Sequence, residues 1–163
     1  MTIHTPASPA FVRAGSLPDS IKVEPLTCAI GAELINVNLG AASRDAGLTA
    51  EIRALLLKHR VLFFRDQDIT PEQQLAFARQ MGPVSIPPFV PKYGTDPELV
   101  VLDQVSPKGE GADEWHSDNT FMAEPPMGSI LKAVQLPTYG GDTCFASMHA
   151  AYDALSEAMK LTV

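Results

Sequence analysis

The run Glu114–Phe121 reads Glu-Trp-His-Ser-Asp-Asn-Thr-Phe, and it places His116 and Asp118 two positions apart. In an extended backbone, residues two apart project to the same side. One imidazole and one carboxylate can therefore reach a single ion from neighbouring anchor points. Such a pair is two-thirds of the 2-His-1-carboxylate face that holds non-haem Fe(II) and leaves other coordination positions open. It asks for extended chain at residues 114–121 and for a third ligand from elsewhere. A His-x-Asp triplet by itself is a weak signal, because most such triplets are surface residues or a histidine beside a capping aspartate.

The surroundings sharpen the reading. Trp115 and Phe121 bracket the triplet with aromatic bulk, expected to pack the wall of a site. Pro125 and Pro126 end the polar stretch. Met127–Leu136 is mainly apolar and reads as a strand, Gly140-Gly141-Asp142-Thr143 as a turn, and Cys144–Met148 as a further strand.

Several separate motifs occur in one order: Trp115–Phe121 (WHSDNTF), Pro125–Leu131 (PPMGSIL), Leu136–Thr143 (LPTYGGDT) and Ser147–Ser156 (SMHAAYDALS). Upstream stand Val23–Leu26, Gly31–Glu33, His59–Gln67 (HRVLFFRDQ) and Ile69–Gln74 (ITPEQQ). Together they resemble the TauD/TfdA family of Fe(II)- and 2-oxoglutarate-dependent dioxygenases over about residues 20 to 160. The resemblance implies an α+β fold, a double-stranded β-helix (jelly roll) with flanking helices, in which about eight strands form two facing sheets. It implies His116 and Asp118 as ligands to Fe(II), and Thr143 as a hydrogen-bonding partner of the 2-oxoglutarate carboxylate. It further implies O2 and a small organic acid as co-reactants, with succinate and CO2 released.

The family carries a second metal-binding His and a 2-oxoglutarate-binding Arg well downstream of the His-x-Asp. The remaining histidines, His4, His59 and His149, do not match that place. His59 reads as a helix C-terminal cap and His149 as a surface or packing residue. The chain is thus expected to be the N-terminal part of such a domain, cut short of its full set of strands. Taurine-using members carry His and Tyr in the loop matching residues 85–91, and an Asn shortly before the metal motif. Here those positions hold Pro87, Val90 and Ala112. A site built to hydrogen-bond an anion depends on such donors. A more apolar sulfate ester, sulfonate or aryloxyalkanoate is therefore expected as substrate. Two other classes stay open: a zinc hydrolase, and a catalytically inactive binding or assembly module.

Composition narrows the rest. A length of 163 residues suggests one domain. Residues 1–19, rich in Pro, Ala and Ser, read as a loose arm before a domain over 20–163. A formal charge of -7 argues against a nucleic-acid binder, which needs a basic face. No apolar run approaches the roughly 20 residues of a membrane span, and no signal peptide is recognised. A cytoplasmic protein is expected, with Cys28 and Cys144 as buried thiols, and a homo-oligomer as the assembled state.

The expected elements are strands at Ile21–Thr27, Ala32–Leu39, Arg60–Arg65 and Glu98–Asp103. Helices are expected from Thr49 as N-cap to His59, from Thr70 as N-cap to about Met81, and over Met148–Lys160 with Ala151, Leu155 and Met159 on one face. Residues 82–97 hold Pro83, Pro87, Pro88, Pro91 and Pro97 and read as a loop.

Overall fold

The computed structural model describes residues 21–85, 98–101 and 114–163. The expected arm over residues 1–19, most of the proline-containing stretch 82–97 and the segment before the metal motif lie outside the described residues. With them lie His4, Pro87, Val90 and Ala112.

The described body is a three-stranded sheet flanked by helices. Strand β1 (Lys22–Pro25) pairs antiparallel with β2 (Ala32–Ile35), Val23 opposite Leu34. The hairpin closes at Gly31, whose φ of 90° is open to glycine at no steric cost. Its amide donates to the carbonyl of His59 at 2.9 Å, which ties the turn to the end of the following helix. Strand β3 (Leu62–Phe63) runs parallel to β2. Parallel neighbours need a long crossover, and helices α1 (Leu39–Ala42) and α2 (Ala46–His59) supply it. Helix α3 (Pro71–Met81) follows β3 and packs against α1 and α2.

The core sits between these helices and the sheet. Leu34, Val37, Leu39, Ala42, Ile52, Ile69 and Phe77 are buried together. Thr70 caps α3 as expected, with Pro71 at the first position and Gln73 completing a capping box.

Elsewhere the boundaries differ. Asp45, not Thr49, is the N-cap of α2, since its carboxylate accepts from the Leu48 amide at 3.0 Å. Thr49 lies one turn inside, buried, and donates to the Ala42 carbonyl at 2.9 Å. The expected strand to Leu39 stops at Ile35, because Asn36 takes a φ of 64° and Asn38 caps α1. His59 ends α2, and Arg60 forms the C-cap at a φ of 68°. The expected single helix over Met148–Lys160 is two, α4 (Met148–Asp153) and α5 (Glu157–Lys160). Ser156 restarts the helix by accepting from the Met159 amide, and of the expected apolar face only Leu155 is half-buried.

Met127–Leu136 and Cys144–Ser147 form no ladder among the described residues, nor do 98–101. The 127–136 stretch is nonetheless held to the body. Lys132 Nζ donates to the Ile69 carbonyl at 2.6 Å, and Gln74 Nε2 to the Ile130 carbonyl at 3.2 Å. Phe145 stands edge-on to Phe63, with ring centroids 6.0 Å apart. Both cysteines are exposed rather than buried. No helix among the described residues is long and apolar enough to cross a membrane.

One side chain joins the loops of the body. Gln67 Oε1 accepts from the Leu39 amide at 2.9 Å, while its Nε2 donates to the carbonyls of Val37 at 2.8 Å and Arg65 at 2.7 Å. The bonds to Leu39 and Val37 are half-buried, so losing Gln67 leaves those backbone groups without their partner, at about 1–3 kcal/mol. Gln67→Ala is expected to lower stability by about that amount, read as a drop in the urea midpoint at unchanged slope.

Candidate metal site

His116 and Asp118 lie in a short irregular stretch that turns at Asp118–Phe121, not in a strand. They nonetheless meet: His116 Nε2 is 3.1 Å from Asp118 Oδ1. The local backbone arranges this. His116 Nδ1 lies 2.8 Å from the Glu114 carbonyl, to which it donates. Beyond the pair, Asn119 adopts a φ of 53°, a left-handed conformation that asparagine tolerates better than most residues. Its carbonyl accepts from the Met122 amide at 3.1 Å and closes the turn.

The tautomer makes this geometry informative. With the proton on Nδ1 committed to the Glu114 carbonyl, a neutral ring points the Nε2 lone pair at a carboxylate oxygen. Two lone pairs at that range repel unless a positive charge lies between them, either a proton on Nε2 or a metal ion. The imidazole pKa is accordingly raised above its ordinary value, first by the Glu114 carbonyl and then by the Asp118 charge, with partial desolvation opposing both. The donor set also suits a metal. Two ligands at about 2.1 Å from an octahedral ion and at right angles to each other lie about 3.0 Å apart. An imidazole whose second nitrogen donates to a backbone carbonyl is the usual form of a metal-binding histidine. The side chains are 52% and 62% exposed, so an ion could approach from solvent.

Other expected participants do not gather here. Among the described residues no group of three or more His, Cys, Asp or Glu is placed to hold a metal. His149 is exposed in the first turn of α4. His59 is at the far end of α2, where its Nε2 is buried without a partner and burial, then Lys58, lowers its pKa. Thr143 is exposed, just after Gly140 and Gly141, both in the left-handed region. Trp115 and Phe121 are 73% and 68% exposed, so the aromatic wall expected of them is not buried. The Glu114 carbonyl and the turn at Asn119 were invisible to sequence reasoning, because a backbone acceptor carries no residue-type signal.

The decisive match spans nearly the whole described chain: the family model for the taurine catabolism dioxygenase TauD, TfdA family, aligns with residues 22–162. The chain belongs to the TauD/TfdA family. An alpha-ketoglutarate-dependent sulfate ester dioxygenase of Pseudomonas putida is 38% identical over 86% of this chain and 46% of its own length. An (S)-phenoxypropionate/alpha-ketoglutarate-dioxygenase of Sphingobium herbicidovorans is 35% identical over 86% of this chain and 50% of its own. The crystal structure of a candidate alpha-ketoglutarate-dependent taurine dioxygenase from Burkholderia xenovorans superposes with a TM-score of 0.74 at 40% identity, covering 88% of this chain and 53% of that one. The chain thus spans about half the length of the relatives it matches.

Proposed function

We propose that this chain forms the His-x-Asp half of an Fe(II)- and 2-oxoglutarate-dependent dioxygenase that oxidises a small organic acid with O2. The observation that carries the reading is the 3.1 Å approach of His116 Nε2 to Asp118 Oδ1 inside the family match. Fe(II) and 2-oxoglutarate (alpha-ketoglutarate) are the cofactors of this family. When bound, they supply the oxidising chemistry by which 2-oxoglutarate is decarboxylated to succinate and hydrogen is removed from the substrate.

The chain's own residues supply position and charge. The Glu114 carbonyl holds the His116 proton on Nδ1 and leaves Nε2 for iron. Asp118 adds one negative charge and a second donor. Thr143, by its match to the family threonine, would hydrogen-bond the 2-oxoglutarate carboxylate. The surrounding fold, in this reading, is a jelly roll completed by strands beyond those described here. A cytoplasmic location and self-association belong to the same reading.

Sulfate esters, sulfonates and aryloxyalkanoates are the substrate classes we favour. The loop replacements Pro87, Val90 and Ala112 support them, as do the activities named for the P. putida and S. herbicidovorans relatives. The B. xenovorans structure puts taurine in direct competition. Succinate release by the complete domain, with Fe(II) and 2-oxoglutarate supplied, is expected to be at least about tenfold faster with an alkyl sulfate or phenoxypropionate than with taurine, the scale set by lost polar contacts. A panel in which taurine is turned over fastest overturns this choice.

A second reading has its own support in the donor count, which stops at two among the described residues. On it, the chain is a non-catalytic binding or assembly module. No coupled succinate release from the complete domain with any acid in the panel is the outcome that selects it.

A further inference from the structure

No ladder holds the metal-bearing chain among the described residues, so side chains have to fix its place against the body. Two hydrogen bonds of opposite sense stand out. Lys132 of the segment donates to the Ile69 carbonyl of the body at 2.6 Å, and Gln74 of the body donates to the Ile130 carbonyl of the segment at 3.2 Å. Both bonds are half-buried, and the charged donor makes the first the stronger. Their anchors are firm. Ile69 is 5% exposed in the core cluster, its carbonyl stands directly before the Thr70 cap, and Ile130 packs on the same cluster. Two positions of one segment thus grip the start of α3.

A stiff path connects this grip to the His-x-Asp turn. The Met122 amide closes that turn on the Asn119 carbonyl at 3.1 Å. Pro125 and Pro126 follow, each with φ fixed by its ring and each restricting the residue before it. Asn119, Met122, Pro126 and Ile130 are half-buried, and every other residue of 114–131 is exposed, so the segment meets its surroundings at these points. We propose that Lys132 and Gln74 are positioning residues for the metal pair. The clamp at Ile130 and Lys132, acting through the Pro125-Pro126 connector, sets where His116 and Asp118 stand relative to α3. That the pair holds a metal rests on the proposed function, but the mechanical tie does not.

Trp115 is the chain's single tryptophan and stands next to His116, so its emission reports the turn. Lys132→Met keeps the length of the side chain and removes the donor. In that variant the Met122 amide is expected to exchange about tenfold faster, the factor for one lost hydrogen bond of a charged donor. The part of the Trp115 anisotropy that decays with whole-chain tumbling should shrink alongside. Gln74→Met should act in the same direction, and Lys132→Arg, which keeps a charged donor, should restore both readings. Lys132 and Gln74 lie outside the buried cluster, so the variants keep the fold. Faster exchange confined to residues 130–132, with Met122 and Trp115 as in the parent chain, overturns the proposal, and so does an arginine variant no better than the methionine one. Manganese(II) titration of the complete domain separates this proposal from the reading beneath it. Lys132→Met is expected to weaken the site about tenfold, the low end of what a disturbed ligand support costs. A site that survives His116→Ala removes the metal assignment and leaves the tie standing. A His116-dependent site with parent affinity in Lys132→Met removes the positioning role and leaves the metal assignment.

Discussion

His116→Ala in the complete domain is expected to abolish iron-dependent 2-oxoglutarate decarboxylation, a loss of at least about 100-fold in kcat. Altering a group that merely orients a metal ligand already costs about 10–100-fold, and this substitution removes the ligand itself. Asp118→Ala should fall as far. Neither change should disturb folding, since both side chains are more than half exposed and surface substitutions usually stay within about 0.5 kcal/mol. The pair of measurements is therefore succinate release and a thermal melt. Activity retained in either variant removes the metal assignment, whereas activity lost along with the melting transition would show a structural role instead.

The same pair sets a pH dependence with a definite sign. The bound ion needs Nε2 unprotonated, and the Glu114 carbonyl and Asp118 both favour the imidazolium. Protons therefore compete with the metal to a higher pH than for an ordinary histidine. Manganese(II) affinity should climb as pH rises through the raised His116 pKa and level off above it. An affinity independent of pH across that window would place the cation elsewhere.

The second large effect is on stability. Ile52 is 1% exposed, the largest side chain fully buried in the described body, and it packs in the cluster with Leu34, Leu39 and Phe77. Ile52→Ala should cost about 2–5 kcal/mol, because the site loses the transfer of the removed atoms and keeps part of a cavity. Ile52→Val should cost about 0.5–1.5 kcal/mol. Against a total stability of about 5–15 kcal/mol, the alanine variant is expected to lose a large share of its urea midpoint. Equal midpoints for alanine and isoleucine at position 52 would mean that the helix–sheet core does not hold this chain together.

The boundaries read correctly in advance were those set by local chemistry. Thr70, Pro71 and Gln73 act within one helical turn, so α3 was legible from the sequence. Thr49 was misread because threonine also serves as a buried hydroxyl one turn inside a helix, and only the position of the Ala42 carbonyl decides between the roles. The long strand to Leu39 failed for a similar reason. Asn36 and Asn38 give the chain a left-handed step and a helix cap, and either residue could equally have ended a loop. The strand expected over Met127–Leu136 shows the opposite limit. Its apolar pattern reads as a strand, but a ladder needs a partner at hydrogen-bonding distance, which no pattern within the segment provides.

The sequence by itself determined the family, through motifs whose order and residue types survive without coordinates, and it singled out His116 and Asp118 as side chains with metal chemistry. The tertiary structure alone decided that the two meet at 3.1 Å in a turn rather than a strand, and that a backbone carbonyl orients the imidazole. It alone decided that Gln67 joins three loops. Residue types report the chemistry a side chain can perform. Which nitrogen faces which oxygen depends on backbone groups, and these are the same at every position until the fold brings them together.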